Sequence, residues 1–199
     1  MIVIGVTGKI CSGKNRYAAA FAACGAQTVD VDTLGHEVLS SKAKAVAAVF
    51  GLELQADGTI DRKALGEIVF SDPLALKQLE EILHPAMVER IKGLIDASDA
   101  PLFVINAALL ERMRLVDLCD RVVYIQTATL LRYIRCRRRS LLSIREFLAR
   151  NRAQRDIRSD TLERRVDTTV LRNYRSQAII HRQVAQYCAR IEQELLPSG

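Results

Sequence analysis

The sequence predicts an α/β fold, a parallel sheet wrapped on both faces by helices. Three observations carry that reading. Apolar runs without alternation recur, as Ile2-Val3-Ile4-Gly5-Val6, Leu102-Phe103-Val104-Ile105 and Val122-Val123-Tyr124-Ile125, the pattern of strands buried on both faces. Helical periodicity fills the segments between them. Strand–helix alternation of this kind calls for parallel strands joined by right-handed crossovers. At 199 residues the length suits a single domain. Its core is expected over about 1–33, 98–129 and 166–199, interrupted by helical insertions at about 34–97 and 130–165.

After the first strand, Gly13 to Cys24 reads as a helix with Tyr17, Ala20, Phe21 and Cys24 on one face and Gly25 closing it. Thr28 to Val31 is a short strand. Leu34, Val38, Leu39, Val46, Val49 and Phe50 fit one helix over 34–50, stopped by Gly51. Asp57-Gly58 marks a turn, and Asp61 is the expected N-cap of a helix reaching Phe70. Ser71-Asp72-Pro73 starts another, with proline at its first position. His84-Pro85 is expected to separate that helix from one running to about Ala97. Helices fill 130–165, Thr169 to Leu171 is a last strand, and Ser176 to Leu195 a closing helix.

Hydrophobic residues make up 49% and charged residues 26% of the chain, an ordinary globular profile. No apolar run approaches the roughly 20 residues that a bilayer demands, and Met1 leads directly into the first strand with no basic leader. Cys11, Cys24, Cys119, Cys136 and Cys188 are odd in number and scattered. That spacing argues against a disulfide framework or zinc site and for a reducing cytosol. The net charge of +6 is uneven. Residues 1–110 carry 10 basic and 13 acidic side chains, and residues 111–199 carry 19 arginines against 10 acids. Between Arg132 and Arg165 there are 12 arginines and four acids. Such a block reads as a solvated helical face, a nucleic-acid surface or a phosphate clamp.

Gly8-Lys9-Ile10-Cys11-Ser12-Gly13-Lys14 fits G-x-x-x-x-G-K between a buried strand and a helix. There the loop's backbone N–H groups and the helix N-terminus can cradle a phosphate. Lys14 is placed to reach the β/γ-phosphates of a nucleotide. The next position calls for a hydroxyl that binds magnesium, and Asn15 stands there instead. Its amide oxygen is a weaker neutral ligand or acts through water. Asp30 and Asp32, read as the end of the second strand, project to one side where α/β proteins place ligands. One can accept a hydroxyl proton while the other holds metal-bound water, or an aspartate here simply caps the next helix.

These residues resemble the dephospho-CoA kinase family, which opens G-[LV]-T-G-G-I-G-S-G-K-S. Gly5 to Asn15 follows that pattern with three departures, at Lys9, Cys11 and Asn15. Lys9 and Cys11 replace glycines, which requires negative backbone angles at both. The family's D-x-D-x-[IVL]-x-[HR] meets Asp30, Asp32, Leu34 and His36. Its D-G-x-[IL]-D-R-x-x-L segment meets Asp57 to Leu65, and L-E-x-I-L-H-P meets Leu79 to Pro85. Its P-L-L-x-E segment is replaced by Asn106 to Glu111, without proline.

The resemblance implies a P-loop NTPase-type sheet with a helical substrate-binding insertion and an Arg-rich helical lid. It implies transfer of phosphate from ATP, with Mg2+, to the ribose 3′-hydroxyl of dephospho-CoA. ATP contacts are implied at Gly8, Lys9, Ile10, Cys11, Ser12, Gly13, Lys14, Asn15, Arg16, Arg137 and Asn173. Acceptor contacts are implied at Thr7, Asp30, Asp32, His84, Leu109 and Glu111. Asp32 is the implied base, with Lys14 beside it in catalysis, and Asn15 the weak or water-mediated metal ligand. Expected partners are ATP and dephospho-CoA, with no nucleic acid or membrane, and the protein is expected in the cytoplasm as a monomer or weak homo-oligomer. A related nucleoside or nucleotide kinase, or a nucleotide-binding protein with reduced turnover, fits the same loop. Tyr133 and Phe147 alone interleave the arginine block, few stacking platforms for nucleic acid.

Overall fold

The computed structural model describes residues 1–173 and 176–195. Its central strand, β1 (Ile2–Thr7), is buried at every position. On one side it pairs in parallel with β3 (Leu102–Asn106), Val3 opposite Phe103 and Gly5 opposite Ile105. On the other it pairs in parallel with β4 (Arg121–Gln126), which pairs in parallel with β5 (Asp167–Arg172). With β2 (Gln27–Asp30) at the far edge, the five-stranded order is β2-β3-β1-β4-β5. The apolar runs of β1, β3 and β4 became strands because each can bury both faces beneath helices.

Helices α1 (Lys14–Ala23) and α9 (Gln177–Leu195) cover one face. Tyr17, Ala20 and Phe21 of α1 meet Ile180, Val184 and Ile191 of α9 over Ile4, Val6, Val104 and Val123. Phe21 and Tyr187 stack edge to face with centroids 5.9 Å apart. Each large side chain buried here contributes roughly 1.5–3 kcal/mol relative to exposure. The connection after β1 leads to one side of the sheet and that after β3 to the other. The carboxyl ends of these neighbours therefore flank a topological switch point, where such sheets bind ligands.

Packing divides the chain into two units, Met1–Val29 with the chain from Ala97 onward, and Asp30–Asp96. The second is helical: α2 (Val31–Ser41), α3 (Ala43–Phe50), α4 (Arg62–Ser71) and α5 (Pro73–Asp96). Leu39, Val46, Ala47, Ile60, Leu65, Val69 and Ala75 form its core. Asp61 caps α4 as expected, accepting from the backbone N–H of Lys63 at 2.8 Å and Ala64 at 3.2 Å.

Three expectations are corrected here. The single helix over 34–50 is two, broken at Lys42 (φ −100°, ψ 9°), because bending there lets Leu39 and Val46 enter one core. Val31 and Asp32 belong to α2 rather than to β2. His84-Pro85 separates nothing, since α5 runs unbroken through Pro85. An interior proline costs about 3 kcal/mol, and burial of apolar residues on both sides of it, Ile82, Leu83, Met87 and Ile91, offsets that.

Candidate functional site

The loop from Gly8 to Gly13 joins β1 to α1 at the switch point. A Cβ at Gly8 would lie 2.7 Å from both the Ile125 carbonyl oxygen and Ser12 Oγ, so only glycine lets the loop backbone come this close. Gly13 holds φ 95° as the N-cap of α1, and a Cβ there would collide with Asn173 Nδ2. Lys9 keeps the negative angle expected of it, but Cys11 does not. Cys11 sits at φ 57°, a conformation costing roughly 1–2 kcal/mol for a residue with a side chain. The argument against disulfides also fails, because Cys11 is bonded to Cys136, 125 residues away. Sequence spacing could not reveal a pair that only the tertiary fold brings together.

Ser12 organises the loop. Its carbonyl accepts from Asn173 Nδ2 at 2.7 Å, Thr127 Oγ1 at 2.9 Å and Arg135 Nη1 at 3.2 Å. Its own hydroxyl is buried, at 1% exposure, with no hydrogen-bond partner among the described residues. A buried hydroxyl left this way costs about 1–3 kcal/mol, a cost that a phosphate oxygen bound in the loop would remove. Lys14 is half-buried, and its Nζ donates to Asn15 Oδ1 at 3.3 Å. Asn106 Nδ2, at the end of β3, donates to the same oxygen at 3.3 Å. Arg16 Nε donates to Gln177 Oε1 at 2.8 Å.

The arginine block folds as α6 (Thr129–Ser140), α7 (Ile144–Ala153) and the short α8 (Ser159–Glu163). Ser143 and Glu146 form a reciprocal capping box that starts α7. Arg132 is 4% exposed, and among the described residues it donates only to neutral acceptors. These are the carbonyls of Thr127 (3.3 Å) and Ile10 (3.4 Å), Thr129 Oγ1 (3.2 Å) and Asn151 Oδ1 (2.8 Å). Its guanidinium also lies 5.7 Å from the Phe147 ring centroid. Burial lowers the pKa of Arg132 and of Arg135, and burial followed by the charges of Arg132 and Arg158 lowers that of Lys9. Arginine nevertheless stays charged. Positive charge buried without a facing carboxylate favours an anionic ligand. Arg137, by contrast, is exposed on α6.

Three of the residues expected at the acceptor site meet in one cleft. Thr7, Leu109 and Glu111 line this small, open cleft with Ala108, Leu110, Arg112, Asp156, Ile157 and Leu162. Thr7 Oγ1 donates to the Ala108 carbonyl at 3.3 Å. Glu111 accepts from Thr161 Oγ1 at 3.2 Å and pairs with Arg165 at 3.8 Å. Asp30, Asp32 and His84 belong to the helical unit. Asp30 is the N-cap of α2, accepting from the Thr33 N–H at 3.1 Å. Asp32 is exposed in the first turn of that helix, and His84 is half-buried along α5. Sequence reasoning left Thr127 and Gln154 out of the site. Helical spacing sets Arg135 on the same side of α6 as Arg132 and Cys136 and away from Arg137.

Sheet order and glycine loop define a P-loop NTPase-type fold. The chain belongs to the dephospho-CoA kinase family, whose defining pattern matches residues 2–186. It is 35% identical over 127 residues to the dephospho-CoA kinase of Borreliella burgdorferi, a match that covers 63% of this chain. The chain thus spans 62% of the length of that relative. A solved structure from Thermus thermophilus superposes with a TM-score of 0.80 at 31% identity, over 96% of this chain and 97% of the other. The dephospho-CoA kinase of Campylobacter jejuni superposes with a TM-score of 0.65 at 26% identity, over 95% and 96%.

Proposed function

We propose that this protein transfers the γ-phosphoryl group of ATP to the ribose 3′-hydroxyl of dephospho-CoA. The products are CoA and ADP, and the step is the last of coenzyme A biosynthesis. The observation that carries this reading is the glycine loop itself, with the buried Ser12 hydroxyl lacking a protein partner among the described residues. Membership of the family supports the choice of acceptor. The loop backbone from Gly8 to Gly13 and Lys14 hold the β/γ-phosphates. Arg16, Arg132, Arg135 and Arg137 supply charge, and Asn173 keeps the Ser12 carbonyl in place. Asp32 accepts the proton of the attacking hydroxyl. Asp30, His84, Thr7, Leu109 and Glu111 shape the acceptor site. Because phosphoryl transfer asks the protein for little covalent chemistry, positioning and charge neutralisation carry the rate.

Among the described residues no group of three or more His, Cys, Asp or Glu side chains is placed to hold a metal ion. Asn15 therefore offers one neutral oxygen, and a magnesium ion bound there would complete its shell with phosphate oxygens and water. When bound, magnesium neutralises phosphate charge. The arginine helices act as a lid that excludes water from the reacting phosphate. The protein acts in the cytoplasm as a monomer or weak homo-oligomer. No helix among the described residues is long and apolar enough to cross a membrane.

A coupled ADP-release assay with dephospho-CoA, with adenylate and with no acceptor tests the proposal. Turnover that depends on dephospho-CoA is expected. Faster turnover with adenylate would identify a nucleotide kinase instead, and ATP binding without turnover on any acceptor would identify a nucleotide-binding protein.

A further inference from the structure

The bond between Cys11 and Cys136 is the one feature of the loop that neither the phosphate cradle nor the acceptor cleft uses. Their Cα atoms are 5.7 Å apart, well within the span of a disulfide. The pair sits in a small apolar cluster of Ile10, Tyr133, Leu142 and Phe147 that packs the loop against α6 and α7. Arg132 Nη1 donates to the Ile10 carbonyl at 3.4 Å and Arg135 Nη1 to the Ser12 carbonyl at 3.2 Å. Arg132 and Arg135 thus hold the residues on either side of Cys11 against α6.

We propose that Cys11 and Cys136 form a thiol modification site at which a low-molecular-weight disulfide ties the phosphate loop covalently to lid helix α6 and slows nucleotide exchange. The effect on exchange rests on the nucleotide reading of the loop. The Cys11 thiolate attacks one sulfur of the small disulfide, expelling one thiolate and leaving a mixed disulfide. Cys136 passes its proton to the first expelled thiolate and attacks the Cys11 sulfur, expelling the second thiolate. Two protein thiols are oxidised and one small disulfide is reduced to two thiols, so electrons balance with no other oxidant.

The bridged state holds the loop in a form unsuited to exchange. The Ile10 N–H donates to Gln154 Oε1 at 2.7 Å, so this loop donor is occupied by the protein. Lid opening must break that bond and separate α6 from the loop, and a covalent link between Cys11 and Cys136 prevents the separation. Reduction leaves only hydrogen bonds and apolar contacts to part.

Full-length protein is treated with oxidised glutathione or with dithiothreitol, alkylated, digested and mapped by mass spectrometry. Dissociation of a fluorescent ATP analogue and ADP-forming turnover are measured on the same samples. The Cys11 and Cys136 peptides should appear linked only after oxidation. Dissociation and turnover should both slow several-fold and recover on reduction. Cys136→Ala should keep the reduced wild-type rate and ignore the oxidant. Cys11→Gly should show an oxidised-to-reduced rate ratio of one whatever its basal rate. Failure of the two peptides to link overturns the site. Linked peptides with unchanged dissociation and turnover overturn its control of exchange. Reduced protein that binds no ATP analogue, while the peptides still link on oxidation, overturns the nucleotide reading and keeps the thiol site.

Discussion

Asp30 and Asp32 lie two residues apart and are held in different ways. Asp30 caps α2 through the Thr33 N–H, a task that asparagine performs as well as aspartate. Asp32 is exposed in the following turn. Asp32→Asn should lower turnover roughly 100- to 10,000-fold, the usual cost of losing a general base, with ATP binding retained. Asp30→Asn should cost far less. Steady-state rates and ATP titrations on both variants check this, and equal small losses would remove Asp32 from the catalytic role. Asn15 makes a second residue-scale case. Its amide oxygen already accepts from Lys14 and Asn106, so a metal ion must compete with two donors for it. Asn15→Ser should lower the magnesium concentration giving half-maximal rate while leaving the dephospho-CoA dependence nearly unchanged, and manganese should support the wild type better than magnesium does. Superimposable magnesium curves for wild type and Asn15→Ser would show that the metal never depended on this position.

Helix α6 is built inside out. Leu130 and Ile134 face solvent, at 70% and 37% exposure, while Arg132 is buried at 4%. A soluble helix stabilised by packing alone would reverse that arrangement. Burying a guanidinium is costly without hydrogen bonds and a counter-charge, and Arg132 and Arg135 find their acceptors in the loop carbonyls of Ile10 and Ser12. The helix is thus organised by the phosphate loop rather than by its own apolar face. Arg135→Ala should raise the Michaelis constant for ATP by roughly 10- to 100-fold, the worth of one charge-assisted hydrogen bond. Arg137→Ala, altering an exposed side chain, should change it far less. ATP titrations at saturating acceptor compare the two, and a larger effect at Arg137 would move the phosphate contact to the outer face of α6.

Across the whole molecule, the arginine-rich second half invites comparison with nucleic-acid-binding proteins. Several of its arginines are occupied by partners within the fold. Arg121 bridges Asp167 and Glu194, Arg112 meets Asp156, Arg158 meets Asp160, and Arg165 reaches Glu111 and Asp117. Duplex DNA should therefore bind weakly, and its affinity should fall steeply with salt, the behaviour of any basic surface. Fluorescence anisotropy at several salt concentrations measures this. Nanomolar, sequence-selective binding at physiological salt would overturn the reading of the block as a phosphate lid.

The strands and the phosphate loop were legible because their signals are local. Unbroken apolar runs specify doubly buried strands, and Gly8, Gly13 and Lys14 at fixed spacing specify a loop whose backbone geometry depends on few distant contacts. Asp61 and Pro73 likewise marked helix starts through caps formed within a single turn. Other features were settled by contacts between distant segments. The break at Lys42 and the passage of α5 through Pro85 follow from what the helical unit must bury, which outweighs local preference at both points. The bond at Cys11 reaches a partner 125 residues away. The inward turn of Arg132 and Arg135 depends on carbonyls of the β1–α1 loop, because a buried charge goes where acceptors are, wherever along the chain they lie. Sequence alone determined the fold class and the place of the glycine loop between β1 and α1. Tertiary structure decided which arginines and which cysteines close over it, since those choices rest on pairings that no local pattern encodes.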